Sequence, residues 1–307
     1  MTRILSFIII YIFLFTLPGF VSAKDENLSG MEPLYFYLFS QKVSRGNTNI
    51  VNIECMNAEE LLSTLTVRFK ERDIPLSLYP LKSEKKIIGL IAIPLDTDPG
   101  PTYVAVDWVR GGEKYSVLIP FTIVTREFPS TRINVNPAYT VLSEENKKRI
   151  ASEFEEVTAI VSGSTSSRLW QNPWKMPVKN TPTSAFGTMR IFNSKVVSIH
   201  KGVDLGASTG TPVLAANDGI VRLAKEIFYA GNCVIIDHGM NILTTYAHLS
   251  RIHVINGQEV TAGQIIGLAG STGRANGPHL HWGVRIGGVT VSPLQFYQAA
   301  KYLSKTE

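Results

Sequence analysis

All six histidines of this 307-residue chain fall between His200 and His281. Three short runs carry four of them: His200-Lys-Gly-Val-Asp204, Thr245-Tyr-Ala-His248 and Gly277-Pro-His279-Leu-His281. Imidazoles beside a carboxylate are the donor set of a catalytic zinc site, which takes three protein ligands and leaves the fourth position to water. His200, Asp204 and one histidine of the 279/281 pair could supply such a set. The remaining imidazoles would then be free for proton transfer beside it.

Strand geometry narrows how these residues are presented. Successive side chains on a strand point to opposite faces, so His279 and His281 share a face and Leu280 enters the other. Their backbones stand about 7 Å apart, close enough for one site without both binding the metal. The same alternation through Ile242-Leu-Thr-Thr-Tyr-Ala-His248 places Thr244, Tyr246 and His248 on one face, with Tyr246 expected to line the substrate cleft beside His248. Trp282 should point away from the two histidines and pack. His238, in Asp237-His-Gly-Met-Asn241, reads as a turn residue, and His253 as a partly exposed strand residue.

Taken together, His-x-x-x-Asp, Tyr-x-His and Gly-Pro-His-Leu-His, with Gly210-Thr-Pro-Val-Leu-Ala-Ala216 and Gly263-Gln-Ile-Ile-Gly-Leu-Ala-Gly-Ser-Thr-Gly273 between them, strongly resemble the lysostaphin-type (LytM) zinc metallopeptidases. The likeness runs from about Thr183 to Pro293, a third of the chain, and several motifs agree in order and spacing. It implies that His200, Asp204 and His281 bind the metal and that His248 and His279 are catalytic without binding it. No such position is replaced, unlike in degenerate members that only activate other hydrolases. The resemblance also implies hydrolysis of peptide bonds in bacterial peptidoglycan, at a glycine bridge or at the D-alanyl cross-link. The layout of the chain leans towards the D,D cross-link.

The expected chemistry follows from charge. Zinc (Zn2+, one per chain) held by two neutral imidazoles and one carboxylate keeps a net charge of about +1 and brings its water to a pKa of about 7. Free imidazoles facing it can orient or deprotonate that water, stabilise the oxyanion or protonate the leaving amine. Two other classes use similar residues. Two histidines and a carboxylate also build non-haem iron oxygenases, against which stand the extra aimed histidines. The alternative within the family is a non-catalytic LytM-type module that activates a cell-wall amidase, against which stand the intact ligands. A third complication is latency, with Asn193 to Ile199 or the first domain occupying the position of the water.

The rest of the chain must position and deliver this site. Residues 1–23 read as a signal peptide, with Arg3 followed by an apolar run to Leu17 and Val21-Ser-Ala23 as a cleavage pattern, which implies export to the periplasm or cell envelope. Loss of Arg3 lowers the formal net charge of +5 by one. That balance suits anionic envelope polymers and carries no specificity. No Lys/Arg tract interleaved with aromatics is present, so nucleic acid is a poor candidate partner. The expected partner is peptidoglycan, approached as a monomer, with an envelope protein as a further possibility. Cys55 and Cys233 read as thiols packed as small hydrophobes.

Hydrophobic patterning gives a mostly β fold. Six short apolar runs between Leu34 and Phe121 predict an N-terminal immunoglobulin-like β-sandwich over 24–130, a gate, glycan binder or spacer. A linker over 131–180 carries a helix capped by Ser143, with Ile150, Phe154, Val157 and Val161 on its apolar face. Trp170 and Trp174 should dock on a domain. Residues 181–307 form the expected antiparallel peptidase domain, with a hairpin around Asn217-Asp218-Gly219 and a terminal helix from Leu294.

Overall fold

The computed structural model describes residues 8–9, 20–23, 34–81, 84–194 and 196–304. The chain divides into two compact units, Met1–Thr125 with Lys305–Glu307, and Arg126–Ser304. Of the expected signal peptide only Ile8–Ile9 and Phe20–Ala23 are described, as short strands. The rest of it lies outside the described residues.

The first unit is built of two sheets. One contains Glu113–Val124, Gly100–Arg110, Thr66–Phe69 and Arg72–Asp73 in that order; the other runs Leu34–Leu38, Thr48–Glu54, Glu84–Ala92, Leu76–Leu81. Alternation does the work. In Glu113–Val124 the odd positions Tyr115, Val117, Ile119, Phe121 and Ile123 are buried, and their neighbours face out. They meet Phe36, Leu38, Val51, Ile53, Ile87 and Ile91 of the other sheet in one apolar core. The six runs expected from sequence are all strands, and Ala58–Leu62 adds a short helix.

In the second unit the described residues form a ten-stranded antiparallel sheet. Its main path is Pro182–Ser184, Val203–Gly206, His279–Ile286, Ile242–Ile252, Gly231–Asp237, Gly219–Ile227 and Glu259–Val260. One face carries Leu223, Cys233, Ile235, Leu243 and Ala247, covered by Val157, Ile160 and Val161 of the Glu144–Ser162 helix. That helix starts as its sequence dictates: the Ser143 side chain accepts from the Asn146 N–H at 3.2 Å. Its covered face is rotated from the expected one. Phe154 is 71% exposed, and Glu153 takes the inner position by accepting the Phe228 N–H at 2.8 Å.

The segment expected as a linker over 131–180 is an integral part of this second unit. Ser130–Ile133 pairs in parallel with Met189–Phe192, and Trp170, Trp174 and Val178 are buried. Trp174 packs edge-on against Phe296 of the Pro293–Ser304 helix and against His238. The expected hairpin around Asn217–Gly219 does not form. Pro212–Leu214 pairs with Ile265–Ala269, whereas Gly219–Ile227 pairs with Gly231–Asp237. The turn residues are used otherwise: the Asp218 carboxylate accepts the N–H groups of Gln171 at 3.1 Å and Ala262 at 2.8 Å, pinning the tryptophan segment to the sheet.

Candidate metal centre

Register brings the first two members of the site together. Asp204 and His281 are direct cross-strand partners, and Ala247 lies opposite His281 on its other side. His200 is delivered by the two residues before the Val203–Gly206 strand, and Gly202 makes that approach possible. A Cβ there would lie 2.5 Å from the Trp282 carbonyl and 2.6 Å from the His281 ring, inside any tolerable contact.

Three donor atoms result. His200 Nε2 lies 2.9 Å from Asp204 Oδ1, His281 Nδ1 lies 3.0 Å from Asp204 Oδ1, and the two nitrogens are 3.0 Å apart. A tetrahedral zinc with bonds of roughly 2.0–2.1 Å sets its ligands about 3.3 Å from one another. A nearly equilateral triangle of two imidazole nitrogens and one carboxylate oxygen therefore fits one face of such a coordination shell. His200 is 3% and Asp204 6% exposed, so two of the three ligand residues are withdrawn from water, while His281 is half-buried.

Hydrogen bonds to carbonyls indicate which nitrogen carries the proton in three of the four rings. A carbonyl only accepts, so where a ring nitrogen meets one, that nitrogen is the N–H. His200 Nδ1 donates to the Ala185 carbonyl at 2.8 Å, His248 Nδ1 to Thr272 at 2.8 Å and His279 Nδ1 to Gly277 at 2.8 Å. Each of the three keeps a bare Nε2 lone pair, and only that of His200 belongs to the triangle. The ring centroids of His248 and His279 are 4.8 Å apart, and His248 lies 5.9 Å from His281, so the two remaining imidazoles flank the donor set together.

Electrostatics follows from burial. Desolvation alone would raise the Asp204 carboxyl, but its close contacts with the His200 and His281 rings outweigh it and, in the metal-free protein, hold the group far below the usual carboxylate range. Burial lowers His200 and pulls His248 down to about 3, with the neighbouring His281 and His279 adding to the shift of His248. Neutral rings are the form that offers lone pairs.

The expected position of Tyr246 is corrected. Tyr246 is fully buried, opposite Trp282 on the back of the sheet; its hydroxyl accepts the Ala216 N–H at 2.8 Å and lies 3.0 Å from Thr244 Oγ1. Simple alternation fails because His248 adopts φ +63°, and the register with Gly231–Asp237 shifts between Asn232↔Leu249 and Val234↔Tyr246. This bulge inserts one residue and turns His248 onto the face of His281, away from Tyr246. Trp282 packs on the back face as expected. His238 is fully buried rather than a plain turn residue, with Nδ1 2.7 Å from the Asp218 carbonyl and Nε2 2.7 Å from Thr244 Oγ1.

Sequence reasoning named no residue that orients the ligands, and the structure supplies one. Arg190, on the Met189–Phe192 strand, donates through one nitrogen to Asp204 Oδ2 and to Ser184 Oγ. It thereby occupies the carboxylate oxygen that the triangle leaves over. The only available signal was an arginine in a strand ten residues before His200. Asn193, which stood in a segment considered able to block the site, instead bonds the backbone of Val135 and the Thr140 hydroxyl.

Comparison with known proteins points to the same stretch of the chain. The profile of Peptidase family M23 matches residues 198–293, which include all five residues of the cluster. The peptidoglycan DD-endopeptidase ShyA of Vibrio cholerae is 32% identical over 197 residues, 61% of this chain and 43% of that protein. The DD-carboxypeptidase/endopeptidase Mpg of Neisseria meningitidis is 44% identical over 96 residues, 31% of this chain and 22% of that protein. The chain thus spans less than half the length of these curated relatives. A Pseudomonas aeruginosa structure assigned to peptidase M23 superposes with a TM-score of 0.62 at 26% identity, covering 83% of this chain and 95% of that one. Sequence profile, relatives and fold agree on one stretch: residues 198–293 of this chain match Peptidase family M23.

Proposed function

We propose that the protein is a zinc-dependent endopeptidase of the bacterial cell envelope that hydrolyses peptide cross-links of peptidoglycan, with the D-alanyl link as its bond. One observation carries the reading: a triangle of His200 Nε2, Asp204 Oδ1 and His281 Nδ1 with edges of 2.9–3.0 Å, flanked by two imidazoles whose Nε2 atoms remain available. These three donors would hold a zinc ion, which would supply an acidic water and polarise the scissile carbonyl. His248 and His279, neutral and fixed by their Nδ1–H bonds, take up the proton of the attacking water and return one to the leaving amine. As imidazolium, either also stabilises the oxyanion. Arg190 holds the Asp204 carboxylate so that Oδ1 alone faces the donor set. The names of the relatives, two of them acting on D,D bonds, support the choice of bond, and the apolar N-terminal run supports an envelope location.

Purified protein given zinc should release new amino groups from sacculi and stop with a chelator. Mass spectrometry of products from defined muropeptides then names the bond. Full activity after His281→Ala would refute the ligand assignment, and activity with iron and oxygen uptake would refute the reaction.

A further inference from the structure

The loop from Ser271 to Pro278 is closed at its base by a bridge between Gly270 and His279. Its backbone holds both flanking imidazoles, His248 through the Thr272 carbonyl and His279 through the Gly277 carbonyl. Between these two anchors stands Arg274. Its guanidinium lies 4.2 Å from the Phe192 ring centroid and 4.3 Å from that of Tyr229, clamped between two aromatic faces. The Arg274 N–H also donates to the Tyr229 carbonyl at 2.9 Å, which fixes the loop to one wall of the clamp. Phe192, the other wall, is two residues from Arg190 on the same side of its strand, and Arg190 reaches Asp204.

This cation has no counter-charge of its own. Among the described residues no carboxylate pairs with Arg274, and Arg190 already occupies the nearby Asp204 Oδ2. Burial lowers the Arg274 pKa, the Tyr229 phenol works against that and the charge of Arg190 adds to it, and no carboxylate contributes. A guanidinium stacked on both faces presents its hydrogen-bonding edge alone, a planar fork that matches a carboxylate in two parallel bonds. A half-buried fork left without an anion is costly, and a bound anion removes that cost. The loop that carries it anchors the two imidazoles that protonate the leaving amine, so the fork belongs to the amine side of the scissile bond.

We propose that Arg274 is a specificity residue that binds a free carboxylate on the residue contributing the scissile amide's nitrogen. The inference rests on the amide-hydrolase reading above and adds to it: the enzyme selects bonds whose leaving amine carries an α-carboxylate and discriminates against links, such as glycine bridges, that have an amide there.

Two soluble peptides test it, identical in their D-alanyl amide and differing only in whether the amine-side residue ends in a carboxylate or a carboxamide. The wild-type enzyme should favour the carboxylate by about 10- to 100-fold in kcat/KM, the size expected for a charged hydrogen-bonded pair. Arg274→Gln should bring the two substrates to within about 3-fold of each other, with zinc content retained. The amine product with its carboxylate should inhibit the wild type about 10-fold more strongly than its amide, a readout that does not depend on the variant folding. Equal wild-type rates on both peptides, or full preference retained by a folded Arg274→Gln, overturns this inference and leaves the hydrolase reading standing. Cleavage of neither peptide by zinc-loaded wild type removes both.

Discussion

His238, just past the end of the Gly231–Asp237 strand, and His248, on the Ile242–Ile252 strand, both belong to the second unit. Both are buried, and burial draws both below the ordinary histidine range, to about 4 and about 3. What separates them is the second nitrogen. His238 Nδ1 meets the Asp218 carbonyl, and Nε2 meets Thr244 Oγ1, itself 3.0 Å from the Tyr246 hydroxyl, so both ring nitrogens have partners. His248 has the same carbonyl bond at Nδ1 and then stops, with Nε2 facing His279 and His281. The back of the sheet uses imidazole to complete a hydrogen-bond chain, and the front uses it to offer lone pairs. Burial and lowered pKa are common to both, so neither identifies a reactive histidine. An open nitrogen directed at other donors does.

This contrast can be broken most severely at the front. His281→Ala should remove a corner of the donor triangle, abolish stoichiometric zinc and lower hydrolysis by on the order of 10³-fold or more, read by metal content and amine release. Gly202→Ala keeps every ligand residue but drives a Cβ to 2.6 Å from the His281 ring. Displacement of that ring by an ångström should cost about 10²-fold in kcat with the fold retained by circular dichroism. Arg190→Gln frees the outer oxygen of Asp204, and zinc affinity should fall by about 10- to 100-fold in a competition titration. Unchanged affinity would mean that the carboxylate is held without its partner.

At the back, the effects belong to stability. With its folded pKa near 4 and an unfolded value near 6.5, His238 binds a proton more readily in the unfolded chain. Its contribution is therefore complete above about pH 6.5, declines as the pH falls and is lost at about pH 4, a change of about 3 kcal/mol. Urea unfolding of metal-free protein across this window should show that slope added to those of His200 and His248, and His238→Phe should reduce it by the His238 share. Tyr246→Phe leaves the Ala216 N–H without its acceptor and should cost about 1 kcal/mol, with hydrolysis retained. A loss of activity out of proportion to stability would return Tyr246 to the cleft.

The front was far more legible in sequence than the back. Asp204 and His281 belong to motifs whose strand register makes them neighbours, and Ser143 marked its helix because an N-cap is a local event. Alternation misplaced Tyr246 because it assumes an unbroken strand, and the φ of +63° at His248 is a tertiary choice that is uncommon outside glycine. Arg190 escaped notice because its partner is reached across the fold, and a lone arginine in a strand most often faces water. The Asn217-Asp218-Gly219 turn misled for the opposite reason. Its residue types announce a hairpin, while the Asp218 carboxylate serves backbone groups at Gln171 and Ala262 far away in sequence.

The central claim is that three donors hold a metal and two neighbouring imidazoles do not. Zinc bound per chain, measured in parallel on wild type, Asp204→Asn and His248→Ala, tests it most directly. The expected result is one zinc in the wild type, one in His248→Ala with hydrolysis lost, and none in Asp204→Asn. Stoichiometric zinc in Asp204→Asn, or its disappearance from a folded His248→Ala, would contradict the account.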